Sequence, residues 1–190
     1  MNKKNNIAIF ASANASNLEP IYNAIKNNIL NANINLLLSN NTNAAALQKA
    51  KELNIATSVI NSKNSNNIAQ DIYNELIKYD CKYIVLSGYM KKLDSFITNN
   101  FVVINTHPAL LPSYGGVGMY GRYVHEAVIK NNEQYSGTTV HYVNENYDDG
   151  KIILQEKIAL AENETVDSLE SRIKELEKIA IIKALKLCLK

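Results

Sequence analysis

Three side chains set the chemical question: Asn105 and His107, two residues apart in "INTHPALLP", and Asp148 in "NENYDDG". An amide at the end of an apolar run can donate a hydrogen bond to a carbonyl oxygen as negative charge develops there. A histidine two residues on points to the same side of an extended chain, and its near-neutral pKa lets it exchange a proton with a reacting group. Pro108 and Pro112 keep the segment out of helix and leave His107 on a constrained loop. A carboxylate beside the imidazole favours its charged form, so Asp148 is expected to raise the His107 pKa. Plainer readings stand beside these: His107 as a loop-stabilising hydrogen bonder, and "YDDG" as a hairpin turn.

The segment "SANASN", residues 12–17, follows an apolar run and precedes an amphipathic one. Backbone amides at such a helix start make a seat for an anion, with phosphate the natural guest. The segment lacks both the Walker ending and the glycine pattern of dinucleotide folds. It is also readable as Ser16 or Asn17 capping the helix. No serine lies in a nucleophile elbow, neither Cys81 nor Cys188 sits at the centre of a candidate loop, and His107, His125 and His141 lack three-ligand spacing. Covalent catalysis and a bound metal are therefore not expected. An oxyanion donor and a proton carrier beside an anion seat suit group transfer between two bound small molecules.

The elements that must position these residues alternate in period. Apolar runs at 7–11, 34–39, 56–60, 82–88 and 101–105 read as strands, and amphipathic stretches at 17–28, 43–53 and 67–79 as helices between them. That order predicts an α/β fold: an open, mostly parallel sheet with right-handed crossovers and helices on both faces. A helix at 122–131 and strands at 137–143 and 151–158 form a hairpin-linked antiparallel C-terminal addition. The last helix carries Val166, Leu169, Ile173, Leu176 and Ala180 at helical spacing, with Thr165 placed to cap it. The asparagine clusters are read as helix ends and loops. In such a sheet, ligands bind at loops leaving the carboxyl ends of strands, which selects 12–17, 39–43, 88–93 and 105–112.

The 190 residues suit one domain, 1–190, with a core large enough to need no staples. Twenty basic against 18 acidic residues give a net charge of +2, which calls for neither nucleic acid nor an anionic membrane as partner. Two cysteines without ligand spacing fit a reducing compartment, and the run at 7–11 is too short for a signal peptide or a membrane span, so a cytoplasmic location is expected.

The motifs "IAIFASANASNLEPI", "YIVLSGYMKKL", "INTHPALLP" and "GTTVHYVNENYDDGKIILQ", in this order and spacing, resemble the glycinamide ribonucleotide formyltransferase family, and the match runs along nearly the whole chain. The resemblance implies a Rossmann-like formyltransferase fold and transfer of the formyl group of 10-formyltetrahydrofolate to the amine of 5'-phosphoribosylglycinamide. It implies that Asn105 steadies the oxyanion, that His107 donates or relays the proton, and that Asp148 raises the histidine pKa and orders a water. Ala13, Asn14, Ala15, Ser16 and Asn17 match the loop that holds the substrate phosphate, Pro108 lines the same pocket, and Glu177 matches an acid on the sugar. Met90, Lys91, Lys92 and Leu93, with Asn144, Glu145, Asn146, Tyr147 and Asp148, match the folate-binding loops, and Asn105 reaches the folate as well. The folate enters as a cosubstrate, no metal takes part, and the implied assembly is a monomer or homodimer.

The chain departs from the family pattern in places. Ala13 and Ala15 stand where glycines are common, so a left-handed backbone there would cost about 1 kcal/mol. Lys91–Lys92 replaces a basic–apolar pair, Lys174 replaces a glutamine, and "NSKNSNN" lacks the arginine that relatives place beside the folate. Two other readings remain open: a deformylase-like hydrolase passing the formyl group to water, and a non-catalytic relative that binds a phosphorylated metabolite.

Overall fold

Residues 7 to 10 alternate between two cores: Ile7 and Ile9 enter one hydrophobic cluster, and Ala8 and Phe10 another. A strand apolar on both sides needs cover on both sides, which is the condition for a buried parallel sheet. The computed structural model describes residues 4–189, so 1–3 and 190 of the expected 1–190 domain lie outside the description. The elements are β1 (Asn5–Phe10), α1 (Leu18–Lys26), β2 (Ala32–Ser39), α2 (Ala45–Glu52), β3 (Ala56–Val59), α3 (Ile68–Lys78), β4 (Tyr83–Leu86), α4 (Ser95–Asn100), β5 (Val102–His107), α5 (Arg122–Lys130), β6 (Tyr135–Tyr142), β7 (Ile152–Ala159) and α6 (Val166–Cys188).

One seven-stranded sheet runs in the order β3-β2-β1-β4-β5-β6-β7. The first five strands pair in parallel, while β5–β6 and β6–β7 are antiparallel, as the period analysis anticipates. Leu18 and Ile21 of α1, Ala46 and Ala50 of α2, and Ala180, Ile181, Ala184 and Leu185 of α6 bury one face. Ile72 and Leu76 of α3 with Ile97 of α4 bury the other. The strand order reverses between β1 and β4, so the loops leaving their carboxyl ends diverge there and open a crevice.

Thr165 caps α6 as expected: its side chain accepts from the Ser168 amide at 3.1 Å, and the Ser168 hydroxyl accepts from the Thr165 amide at 2.9 Å. At the N-cap of α1, Asn17 makes no side-chain cap. Helix α4 falls between the loop at 88–93 and the strand at 101–105, where the period analysis assigns no element. It has six residues, too few to show a period, and it is held by the Asp94 side chain accepting from the Phe96 amide at 2.8 Å. A second difference bears on the site. His107 was expected on a loop, yet it is the last residue of β5, because β6 runs alongside and pairs His107 with Thr139.

The β6–β7 connection returns so tightly that a Cβ on Gly150 would collide with the carbonyl oxygen of Tyr142. Gly150→Ala is therefore expected to lower the unfolding free energy in urea by about 2 to 4 kcal/mol, the range of clashes that backbone must absorb. A loss below about 0.5 kcal/mol would show that the turn yields freely.

Candidate active site

The β5–β6 pairing places Asn105 opposite His141 and His107 opposite Thr139. Because side chains alternate along β5, Asn105 and His107 leave the same side of the sheet. Asp148 comes from the β6–β7 connection with φ 53° and inserts its carboxylate between two imidazoles. Its Oδ2 lies 3.5 Å from His107 Nδ1, and its Oδ1 lies 3.6 Å from His141 Nε2. The Gly116 amide donates to Oδ2 at 3.0 Å. The expected trio is thus assembled, and His141 joins it as a fourth member.

Carbonyl oxygens only accept, and this fixes the proton positions. His107 Nε2 donates to the Tyr114 carbonyl at 2.7 Å, which leaves Nδ1 facing Asp148. His141 Nδ1 donates to the Tyr142 carbonyl at 2.9 Å, so in the neutral ring Nε2 is an acceptor. The Asn105 amide donates to that nitrogen at 3.2 Å and keeps its second N–H free.

The electrostatics correct one expectation. Burial holds the His107 pKa below its ordinary value, and the opposing pulls of Asp148 and the Tyr114 carbonyl do not overcome it. Asp148 acts upward as anticipated, but His107 is only 3 % exposed and its dehydration outweighs the charge. Burial also pushes the Asp148 carboxyl up. The imidazoles of His141 and His107, with the Gly116 amide, outweigh it and hold the group low.

Residues 13–17 run from β1 into α1. Asn14 and Ser16 line a cavity of about 400 Å³ together with Glu19, Lys49 and Lys178. Ala15 takes φ 49°, so the turn keeps the left-handed step that glycine would make easily, and Ala13 does not. Asn17 is buried, and its Oδ1 has no partner. Pro108 directly follows His107 and is half-buried. Glu177 on α6 precedes the cavity residue Lys178. Its carboxyl is pushed up to about 8 by dehydration, against the pull of Lys174, although the residue as a whole keeps intermediate exposure.

A larger cavity, about 1330 Å³, opens beside the β4–α4 loop. Ile60, Ile72, Tyr89, Leu93 and Ile97 give it an apolar floor, and Lys63, Lys91 and Lys92 a basic rim. That division suits a ligand with an aromatic body and an anionic tail. Leu93 is buried and Met90 exposed. Lys92 Nζ lies 5.5 Å from the centre of the Tyr147 ring, which draws the two expected folate loops together. Of the second loop, Glu145 lines this cavity. Asn144, Asn146 and Tyr147 lie outside it, exposed, with Asn144 Oδ1 accepting from the Asn146 amide at 2.9 Å.

Four residues escaped the sequence reading. His141 lies in the strand read at 137–143, and only the register of that strand against β5 brings it to Asn105. Lys49 and Lys178 reach the smaller cavity from α2 and α6, where no local pattern marks them, and Lys63 lines the larger one from "NSKNSNN", a segment singled out only for its missing arginine.

The formyl transferase family model matches residues 5–185. The phosphoribosylglycinamide formyltransferase of Haemophilus influenzae is 36 % identical over 176 residues, which cover 90 % of this chain and 81 % of that protein. The chloroplastic phosphoribosylglycinamide formyltransferase of Arabidopsis thaliana is 31 % identical over 90 % of this chain, and the match spans only 61 % of its length. In a Chironomus tentans trifunctional purine biosynthetic protein the match spans 14 % of the length. The crystal structure of a phosphoribosylglycinamide formyltransferase from Brucella melitensis superposes with a TM-score of 0.89 at 29 % identity, covering 98 % of this chain and 96 % of that one. With its sheet order, its Asn–His–Asp cluster and its motifs in sequence, the chain belongs to the formyl transferase family, in the phosphoribosylglycinamide formyltransferase branch.

Proposed function

We propose that the chain transfers the formyl group of 10-formyltetrahydrofolate to the amine of 5'-phosphoribosylglycinamide, a step of de novo purine synthesis, acting as one cytoplasmic formyltransferase domain, a monomer or a homodimer. The observation that carries this reading is the position of the Asn105–His107–Asp148 cluster at the ends of β5 and β6. It shares the carboxyl edge of the sheet with an anion-seat loop and with an apolar cavity rimmed by lysines.

The ribonucleotide phosphate sits on the 13–17 turn, on amides other than that of Asn17, which donates to the Ser87 hydroxyl, with the Asn17 side chain inside the turn, Lys49 and Lys178 supplying charge, and Glu177 and Pro108 on the sugar side. The folate arm lies over Tyr89 and Leu93 between Met90–Leu93 and Asn144–Asp148, its carboxylates toward Lys63, Lys91 and Lys92. The cosubstrate supplies the formyl carbon. Asn105 turns its free N–H to the formyl oxygen as charge gathers there, the use for which preorganised donors are worth most. The attacking amine must lose a proton and the departing folate nitrogen must gain one. His107 carries it: the amine proton passes to Nδ1 through the water that Asp148 orders, and the ring, charged beside that carboxylate, gives its Nε2 proton to the departing folate nitrogen in place of the Tyr114 carbonyl. Asp148 keeps the ring oriented and stabilises its charged form. The non-catalytic alternative leaned on the missing glycines, and Ala15 supports it less by keeping the left-handed turn.

A formyl-transfer assay with purified protein and both substrates tests the activity. His107→Ala is expected to lower kcat by about 10²- to 10⁴-fold, the usual weight of a positioned acid or base, with KM for the ribonucleotide changed little. Full turnover in that variant would sink the mechanism.

Affinity at low salt is expected to be higher for a polyglutamylated than for a monoglutamylated folate, because the cavity rim carries three lysines. Equal affinities would count against that placement of the tail.

Stability should depend on pH through two opposing sets of groups. His107 and His125 are held low by burial, so the unfolded chain takes up protons that the native one resists, and stability falls as pH drops through the ordinary histidine value. Glu177 is held high, so its native form keeps a proton that the unfolded chain loses, and its contribution falls as pH rises from about 4.5 to about 8. Glu177→Gln is accordingly expected to gain stability relative to the parent between pH 5 and pH 9 in urea titrations, and a constant difference would contradict the assignment.

A further inference from the structure

At the crevice between β1 and β4, all of Ser12's polar groups are engaged, and by two other loops. Its hydroxyl donates to Asn40 Oδ1 at 2.6 Å and accepts from the Met90 amide at 2.8 Å. Its own amide donates to the Gly88 carbonyl at 3.0 Å, and its carbonyl accepts from Asn41 Nδ2 at 3.0 Å. Farther along the same segment, the Asn17 amide donates to the Ser87 hydroxyl at 3.1 Å. Ser12 is buried, so these bonds are not readily exchanged for water.

The two loops so joined are the ones assigned above to different substrates. Ser12 opens the 12–17 segment, and Met90 opens the Met90–Leu93 segment. Neither segment belongs to a helix or strand at the joint, so their relative position is set by these few cross-loop bonds and not by a helix or a sheet ladder. A hydroxyl that accepts from one segment while belonging to the other makes their order common: fixing the first holds the oxygen where the Met90 amide needs it. A ligand that settles one segment therefore settles the other's hydrogen-bond partner, and a second ligand meets a loop already in its bound position.

We infer that Ser12 is a positioning residue that couples occupancy of the two substrate loops, so that the ribonucleotide and the folate bind with positive cooperativity through the Ser12–Met90 and Ser12–Asn40 hydrogen bonds. This rests on the loop assignments of the proposed function. The coupling requires no movement of the catalytic cluster, since Ser12's hydrogen-bond partners are Asn40, Asn41, Gly88 and Met90 and none of its members. Linkage makes it reciprocal: each ligand raises the other's affinity by the same factor.

The test is titration calorimetry of the full chain with 5'-phosphoribosylglycinamide, alone and with saturating tetrahydrofolate, which fills the folate site without a formyl group to give. In the parent protein the ribonucleotide is expected to bind about 5-fold or more tightly in the presence of tetrahydrofolate, the lower end of ordinary coupling, with the converse titration agreeing. Ser12→Ala is expected to reduce that factor to below about 2, while each single-ligand affinity falls by no more than about 5-fold, the weight of a hydrogen bond or so. Asn40→Ala removes one partner but leaves the hydroxyl to accept from Met90, so its factor should lie between the two, and it carries the test if Ser12→Ala does not fold. Amide exchange at Met90 gives a second readout: the ribonucleotide alone should slow it in the parent and leave it unchanged in Ser12→Ala. Cooperativity that survives in both variants, or its absence in a parent that binds both ligands, overturns the proposal. A parent that binds neither ligand overturns the functional reading itself, and the coupling with it.

Discussion

The Asp148 carboxylate, held between the rings of His107 and His141, is the interaction on which the site depends. Its charge is stabilised by two imidazoles and one amide, Gly116, contributed by three different parts of the chain. A buried carboxylate without such partners would take up a proton rather than remain charged. Each partner is in turn fixed by something larger: His107 and His141 by the antiparallel pairing of β5 with β6, and Gly116 by the segment whose Tyr114 carbonyl accepts from His107. Thr138 and Thr139 extend that frame, donating to the carbonyls of His107 and Ala109 at 3.0 and 2.7 Å. The geometry of the cluster is therefore a consequence of strand register, and a slip of one residue would turn His107 to the opposite face.

Periodicity reads such a fold well because a two-sided parallel sheet demands apolar runs, and the runs at 7–11, 34–39 and 101–105 show it. The same method reads Asn105 and His107 as neighbours, since a spacing of two has one meaning in extended chain. It could not see His141, because the partner of Asn105 is decided by a register that no local window contains. Nor could it weigh the His107 pKa. Asp148 is visible as a charge in the sequence, whereas the dehydration that outweighs it comes from packing by the rest of the chain. Lys49 and Lys178 belong with these, since α2 and α6 meet the first loop only in three dimensions.

The asparagine-rich stretches gain a physical reading. Asn28, Asn54 and Asn132, with Asp80, take left-handed backbone angles of 56°, 57°, 51° and 51° just past helix ends. A chain with only seven glycines fills these positions with the residues that tolerate that region best after glycine. Other asparagines satisfy loop backbone directly: Asn41 binds the Ser12 carbonyl, and Asn61 the Asn40 carbonyl at 3.1 Å. The polar loops at the carboxyl edge of the sheet are thus tied down by side-chain amides where glycine-rich loops would rely on bound ligand or water.

That economy makes the remaining left-handed residues informative. Among the described residues, seven other than glycine have positive φ, and the three not placed at helix ends are Ala15, Tyr114 and Asp148. An alanine or a tyrosine there costs about 1 to 2 kcal/mol, with no side-chain hydrogen bond to the local backbone to offset it. Ala15 turns the first loop between β1 and α1, Tyr114 aims its carbonyl at His107, and Asp148 swings its carboxylate between the rings. The strain falls where the backbone must be aimed and is absent where it need only end a helix. Strain confined in this way requires a rigid surround. The surround here is the buried β1–β4–β5 centre of the sheet, whose residues Ile9, Ile84 and Ile104 are fully buried and leave the loops above them little room to relax.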